Sequence, residues 1–138
     1  MFFEKDIDIP ANTARIAPVT VRLRLKVGII HYVAVQFPKG CAGQVHIQLF
    51  EGGNQVFPTT PGTSIKSSGF IVDWSDAHPV QKGGTLWLIK GWNVSSENPH
   101  TVSVRFAILE EDKLFPLWRM FKSITAFLRL FRKRPEGE

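Results

Sequence analysis

Between Val19 and Leu109 the chain repeats one pattern, a short run of alternating apolar and polar residues closed by glycine, proline or asparagine. A period of two buries one face of an extended strand and cannot make the stripe that a helix needs. Val19, Val21, Leu23 and Leu25 alternate with Thr20, Arg22, Arg24 and Lys26, which predicts a half-buried strand with a solvated basic face. Ile29 to Phe37 is more apolar and suits a central strand. Val45, Ile47 and Leu49 alternate with Gln44, His46 and Gln48. Glu51-Gly52-Gly53-Asn54 then signals a hairpin returning over Gln55 to Phe57.

Pro58 to Ser68 reads as a long loop. Further strands are expected at Gly69–Trp74, Thr85–Trp92 and Thr101–Leu109, with a loop holding Pro79, Gly83 and Gly84 before the second and a turn over Asn93–Pro99 before the third. Seven or eight short strands with no helix between them predict an all-β fold, an antiparallel β-sandwich or jelly roll. Ahead of it, residues 1–18 read as an extended arm, because Pro10 and Pro18 both discourage helix. The sandwich is expected over residues 19–112.

After Glu110-Glu111-Asp112 the period changes. Leu117, Trp118, Phe121, Ile124, Phe127, Leu128 and Phe131 recur at helical spacing, with Arg119, Lys122, Arg129 and Lys133 opposite much of that stripe. An amphipathic basic helix is expected over residues 113–134, with a short tail at 135–138. Residues 1–112 hold ten Lys/Arg and ten Asp/Glu, so the net charge of +5 comes from the C-terminal segment, with Arg132 and Arg134 adding to it. Its apolar face predicts contact with a partner subunit, with its own sandwich or with a membrane. Its cations predict contact with an anionic surface. A basic side chain near an anionic leaflet gains about 1 kcal/mol and a buried large apolar one about 1.5–3 kcal/mol, so purely electrostatic binding to nucleic acid is the less favoured use.

The length suits one domain with one core. A lone Cys41 excludes an intrachain disulfide and a four-cysteine zinc site. Met1-Phe2-Phe3-Glu4-Lys5-Asp6 places acids where a signal peptide needs a basic start, so none is expected. No apolar stretch reaches the roughly 18 residues of a spanning helix.

Candidate chemistry is sparse. His31, His46 and His100 would hold a metal only if the fold brought them together, since none has local ligand spacing. Asp73, Asp76 and His78 place two carboxylates and an imidazole within six residues, the material of a calcium site or an acid/base pair. A polar strand end is the favoured reading, since the regular oxygen spacing of a calcium loop is missing. Cys41 has no base indicated nearby, and no Gly-x-Ser-x-Gly elbow or phosphate-binding glycine loop occurs. Trp74, Trp87, Trp92, Tyr32 and Phe70 could line a sugar or subunit surface, although Trp87 and Trp92 have opposite parity and at least one belongs to the core. Asn93-Val94-Ser95 matches a glycosylation acceptor, a match without weight where no export signal is read. No catalytic residue, metal or cofactor is expected, and the chain reads as a non-enzyme.

The run Gly28 to Gly43 (GIIHYVAVQFPKGCAG), with Gly91-Trp92-Asn93 and Pro99 to Phe106 (PHTVSVRF), resembles small single-domain β-sandwich or jelly-roll virion proteins of bacterial or archaeal viruses. That resemblance covers residues 10–109. It implies a capsid, decoration or attachment subunit that works as a homo-oligomer or with other virion subunits. The helix lies outside the resemblance, and its segregated faces lead to the expectation that it docks on a neighbour or a lipid layer. The alternative is a peripheral membrane module anchored by the helix. The expected location is the virion, or otherwise the cytoplasm or a membrane surface.

Overall fold

The computed structural model describes residues 1–81 and 85–110. The expected helix over residues 113–134, with every helical contact residue named above, lies outside them. Eight strands occupy the described part: β1 (Phe2–Ile9), β2 (Val19–Leu25), β3 (Gly28–Gln36), β4 (Val45–Glu51), β5 (Asn54–Phe57), β6 (Ile71–Val80), β7 (Thr85–Asn93) and β8 (His100–Glu110). They form two four-stranded antiparallel sheets, ordered β1-β8-β3-β6 and β2-β7-β4-β5. Successive strands cross between the sheets except at the β4–β5 hairpin, which is the winding of an eight-strand jelly roll.

The alternation read from the sequence sets the layers. Ile30, Val33, Val35, Val102, Val104, Phe106 and Ile108 of the first sheet meet Leu25, Val45, Ile47, Leu49, Trp87 and Ile89 of the second. Gly91 stands on the inner face of β7, and a Cβ there would lie 2.5 Å from Ile9 Cδ1 and 3.0 Å from Ile47 Cδ1. The missing side chain is what lets Ile9 reach across the core. Gly28, at φ +152°, opens β3 where a Cβ would lie 2.4 Å from the Leu109 carbonyl oxygen.

Two boundaries differ from the expectation. The N-terminal half of the supposed arm is β1, paired with β8 from Phe2↔Ala107 to Ile9↔His100, and it buries Ile7 and Ile9 in the core. The strand expected at Gly69–Trp74 continues to Val80, through Pro79. Proline is tolerated because β6 is an edge strand, so the missing N–H can face away from the ladder.

Candidate functional site

The constellations suggested by the sequence do not assemble. His31 is on β3 of one sheet and His46 on β4 of the other, so they do not face each other, and His100 begins β8. Among the described residues no group of three or more His, Cys, Asp and Glu side chains could hold a metal ion.

Asp73 faces outward and accepts a hydrogen bond from the Tyr32 hydroxyl at 2.6 Å, which raises the phenol's pKa above its ordinary value. His78 points instead to the interior side. Its Nε2 lies 2.6 Å from Glu51 Oε2, and its ring meets Trp87 edge-on at 5.4 Å. Asp73 and His78 therefore serve opposite faces of β6 and do not pair with each other, while Asp76 accepts from the Ala77 N–H at 2.7 Å.

Cys41 is fully buried and its thiol donates to the Pro38 carbonyl at 2.9 Å. Burial pushes its pKa up, the reverse of what a nucleophile needs. Trp87, 0% exposed, belongs to the core between the sheets, whereas Trp92 is on the outward side of β7 and is 4% exposed because other side chains cover it; Phe70 is exposed. Asn93 is completely buried, donates to the Asn98 carbonyl at 2.8 Å and accepts from Ser95 N–H at 2.9 Å. It closes a turn and offers no accessible amide for a glycan.

What the fold does bring together is charge. On the outer face of the first sheet, Glu4, Asp6 and Asp8 form a column on β1. They accept hydrogen bonds from Arg105 Nε at 3.2 Å, Ser103 Oγ at 2.6 Å and Thr101 Oγ1 at 2.6 Å. Asp73 lies on the same face, since Ala34 pairs with both Arg105 and Asp73.

The outer face of the second sheet has the opposite sign. Register places Arg24 beside Leu86, Arg22 beside Leu88 and Thr20 beside Lys90; on β4, Phe50 continues the Leu88 row and Gln48 the Lys90 row, and His46 pairs with Trp92. Leu86, Leu88 and Phe50 are half-buried and make an apolar patch next to the two exposed arginines. The Lys90 ammonium sits 4.4 Å from the centre of the Phe50 ring. None of these outward strand residues is acidic. Of the ten acids in residues 1–112, four thus stand on one outer face, while Arg22, Arg24 and Lys90 stand on the other.

At one end of the basic face, His46 stacks on Trp92 with ring centroids 5.0 Å apart and planes 4° from parallel. The Arg15 guanidinium lies 5.3 Å from the centre of the Trp92 ring, and Arg15 Nη2 donates to the Gly62 carbonyl. Two short pairings hold the cluster. Thr13 bridges to Asn93, bringing the β1–β2 loop beside β7, and Ile65 bridges to Ile47, setting Lys66 across from His46. His46 Nδ1 is 2.7 Å from Ser64 Oγ. Burial, then the positive charges of Lys66 and Arg15, hold the imidazole pKa below its ordinary value. Sequence reasoning missed this site because its members come from four separate segments. Only the basic outer face of β2 was visible in advance.

No family model matches the chain, and no curated protein matches it. Among matching solved structures is Aeromonas hydrophila PliG, a periplasmic lysozyme inhibitor of g-type lysozyme. It is 13% identical, with 79% of this chain and 85% of that chain covered, at a TM-score of 0.42. The expected role as a virion subunit, with a membrane-anchored module as its alternative, finds no support in these comparisons and is withdrawn; the matched structure is described as a periplasmic lysozyme inhibitor, not a virion component. A likeness this loose brings no partner or activity to the present chain.

Proposed function

We propose that the protein is a binding module, acting by non-covalent recognition rather than by catalysis, and that the outer face of the β2-β7-β4-β5 sheet receives an acidic protein surface. The supporting observation is the separation of charge between the two sheets. Arg22, Arg24 and Lys90 stand around Leu86, Leu88 and Phe50, whereas the carboxylates Glu4, Asp6, Asp8 and Asp73 stand on the other sheet. Cations around an apolar centre match the polar rim and desolvated middle of protein interfaces. Opposed charge on the partner steers the approach and selects against basic proteins. A nucleic acid fits this face less well. Trp92 is buried and Phe50 is covered by Lys90, so no bare aromatic ring is presented for base stacking.

The direct test is binding of the intact chain to polyglutamate and to a random glutamate–tyrosine copolymer, with double-stranded DNA as the competing polyanion. The copolymer is expected to bind most tightly, because it meets both charge and apolar surface. Arg22→Glu with Arg24→Glu is expected to weaken that binding at least tenfold, and raised salt to weaken it further. Equal binding by the wild-type and reversed chains, or tighter binding to DNA than to the copolymer, would defeat this reading.

A further inference from the structure

We propose that Arg15, His46 and Lys66 form a site for a single oxyanion at the Trp92 end of the basic face. The site rests on the preceding section only in lying on the same face, and it is defined by residues other than Arg22 and Arg24. Four features carry it.

The first is convergence across strands. The Thr13–Asn93 and Ile65–Ile47 bridges bring the β1–β2 loop and the 58–68 loop to opposite flanks of the Trp92–His46 pair. Arg15 and Lys66 thereby stand on either side of His46, and both of their charges reach its imidazole.

The second is restraint. Arg15 is fixed by its bond to the Gly62 carbonyl and by its place against the Trp92 ring. The loop supplying Ser64 and Lys66 is held by Gln48 Nε2 donating to the Thr63 carbonyl at 2.9 Å, and by Gln55, which donates to the carbonyls of Pro58, Thr60 and Thr63. A guanidinium with one of its five N–H donors committed retains a planar fork for a carboxylate or phosphoryl group.

The third is the donor set. In the tautomer in which Ser64 Oγ–H donates to Nδ1, His46 Nε2 carries the hydrogen, so imidazole, guanidinium and ammonium all present donors. The fourth is electrostatic. The anchored Arg15 and the exposed Lys66 both disfavour protonation of the half-buried imidazole, and an oxyanion between them relieves that repulsion while gaining charge-assisted hydrogen bonds.

A carboxylate of an acidic protein side chain and a phosphoryl group share the chemistry this site recognises. The experiment is an NMR titration of the intact chain with acetate and, separately, with inorganic phosphate at constant ionic strength. The His46 ring and Trp92 indole signals are followed. At least one anion is expected to give a saturable shift of both, and the tighter of the two identifies the class. Lys66→Gln, a change at an exposed side chain, should weaken that binding about three- to tenfold. Lys66→Glu should abolish the saturable shift with the fold retained by circular dichroism. Arg22→Gln with Arg24→Gln should leave it intact.

Linear, non-saturating shifts with both anions would overturn the proposal, as would unchanged affinity in Lys66→Glu. Oxyanion binding without polyglutamate or copolymer binding would leave the site standing and remove the acidic-partner reading. The opposite result would do the reverse.

Discussion

His46 of β4 lies flat on Trp92 of β7, 5.0 Å between ring centroids, and the pair stands between the two loops that bridge to these strands. The histidine is half-buried and its pKa is lowered, first by burial and then by Lys66 and Arg15. Protonation is therefore easier in the unfolded chain than in the folded one. It follows that His46 contributes stability fully above the unfolded value of about 6.5, and that this stability is lost as pH falls from there to the folded value. In urea titrations between pH 7.5 and 5, His46→Gln is expected to flatten the decline relative to the wild type. An identical pH slope in the two proteins would refute this assignment.

The strand nature of Phe2–Ile9 can be tested by truncating its buried side chains. Ile7 is fully buried between the sheets, so Ile7→Ala should cost about 2–5 kcal/mol, measured as a lowered urea midpoint. A residue on a detached arm would show almost no change.

Gly91 faces the core where Ile9 crosses from the opposite sheet. Gly91→Ala should destabilise by roughly 1–3 kcal/mol through overpacking. Combining it with Ile9→Val, which removes the approaching Cδ1, should recover part of that loss. Strict additivity of the two changes would speak against the proposed contact.

Asn93 satisfies the Asn98 carbonyl and the Ser95 N–H in a fully buried turn. Asn93→Ala leaves both unpaired and should cost about 1–3 kcal/mol. Thermal unfolding by circular dichroism is the measurement, and an unchanged midpoint would contradict it.

Cys41 is buried with a raised pKa. Its reaction with an aromatic disulfide reagent at pH 8 should be slow in the native protein and fast in denaturant. Rapid native reaction would mean that the 38–43 turn opens readily.

The periodicity of Val19–Leu25, Thr85–Trp92 and Thr101–Leu109 placed these strands almost to the residue, and Glu51-Gly52-Gly53-Asn54 marked the hairpin. β1 was not legible. Asp6 and Asp8 alternate with Ile7 and Ile9, but the signal is short and ends at Pro10. Its strand identity comes from pairing with β8, about a hundred residues away in sequence. β6 was read as ending before Pro79, because nothing local shows that a strand lies at an edge, where proline costs no ladder bond.

By itself the sequence determined that this chain makes two-sided strands, that its charged residues before position 113 sum to neutrality and that its cationic excess lies near the C-terminus. These properties are carried by neighbours along the chain. Tertiary structure alone decided that Glu4, Asp6, Asp8 and Asp73 share one outer face and Arg22, Arg24 and Lys90 the other, and that Arg15, His46 and Trp92 meet beside the loop carrying Lys66. Which strands share a sheet is set by pairings across the whole chain, and alternation says only that a side chain faces outward, not which of the two outer faces it joins.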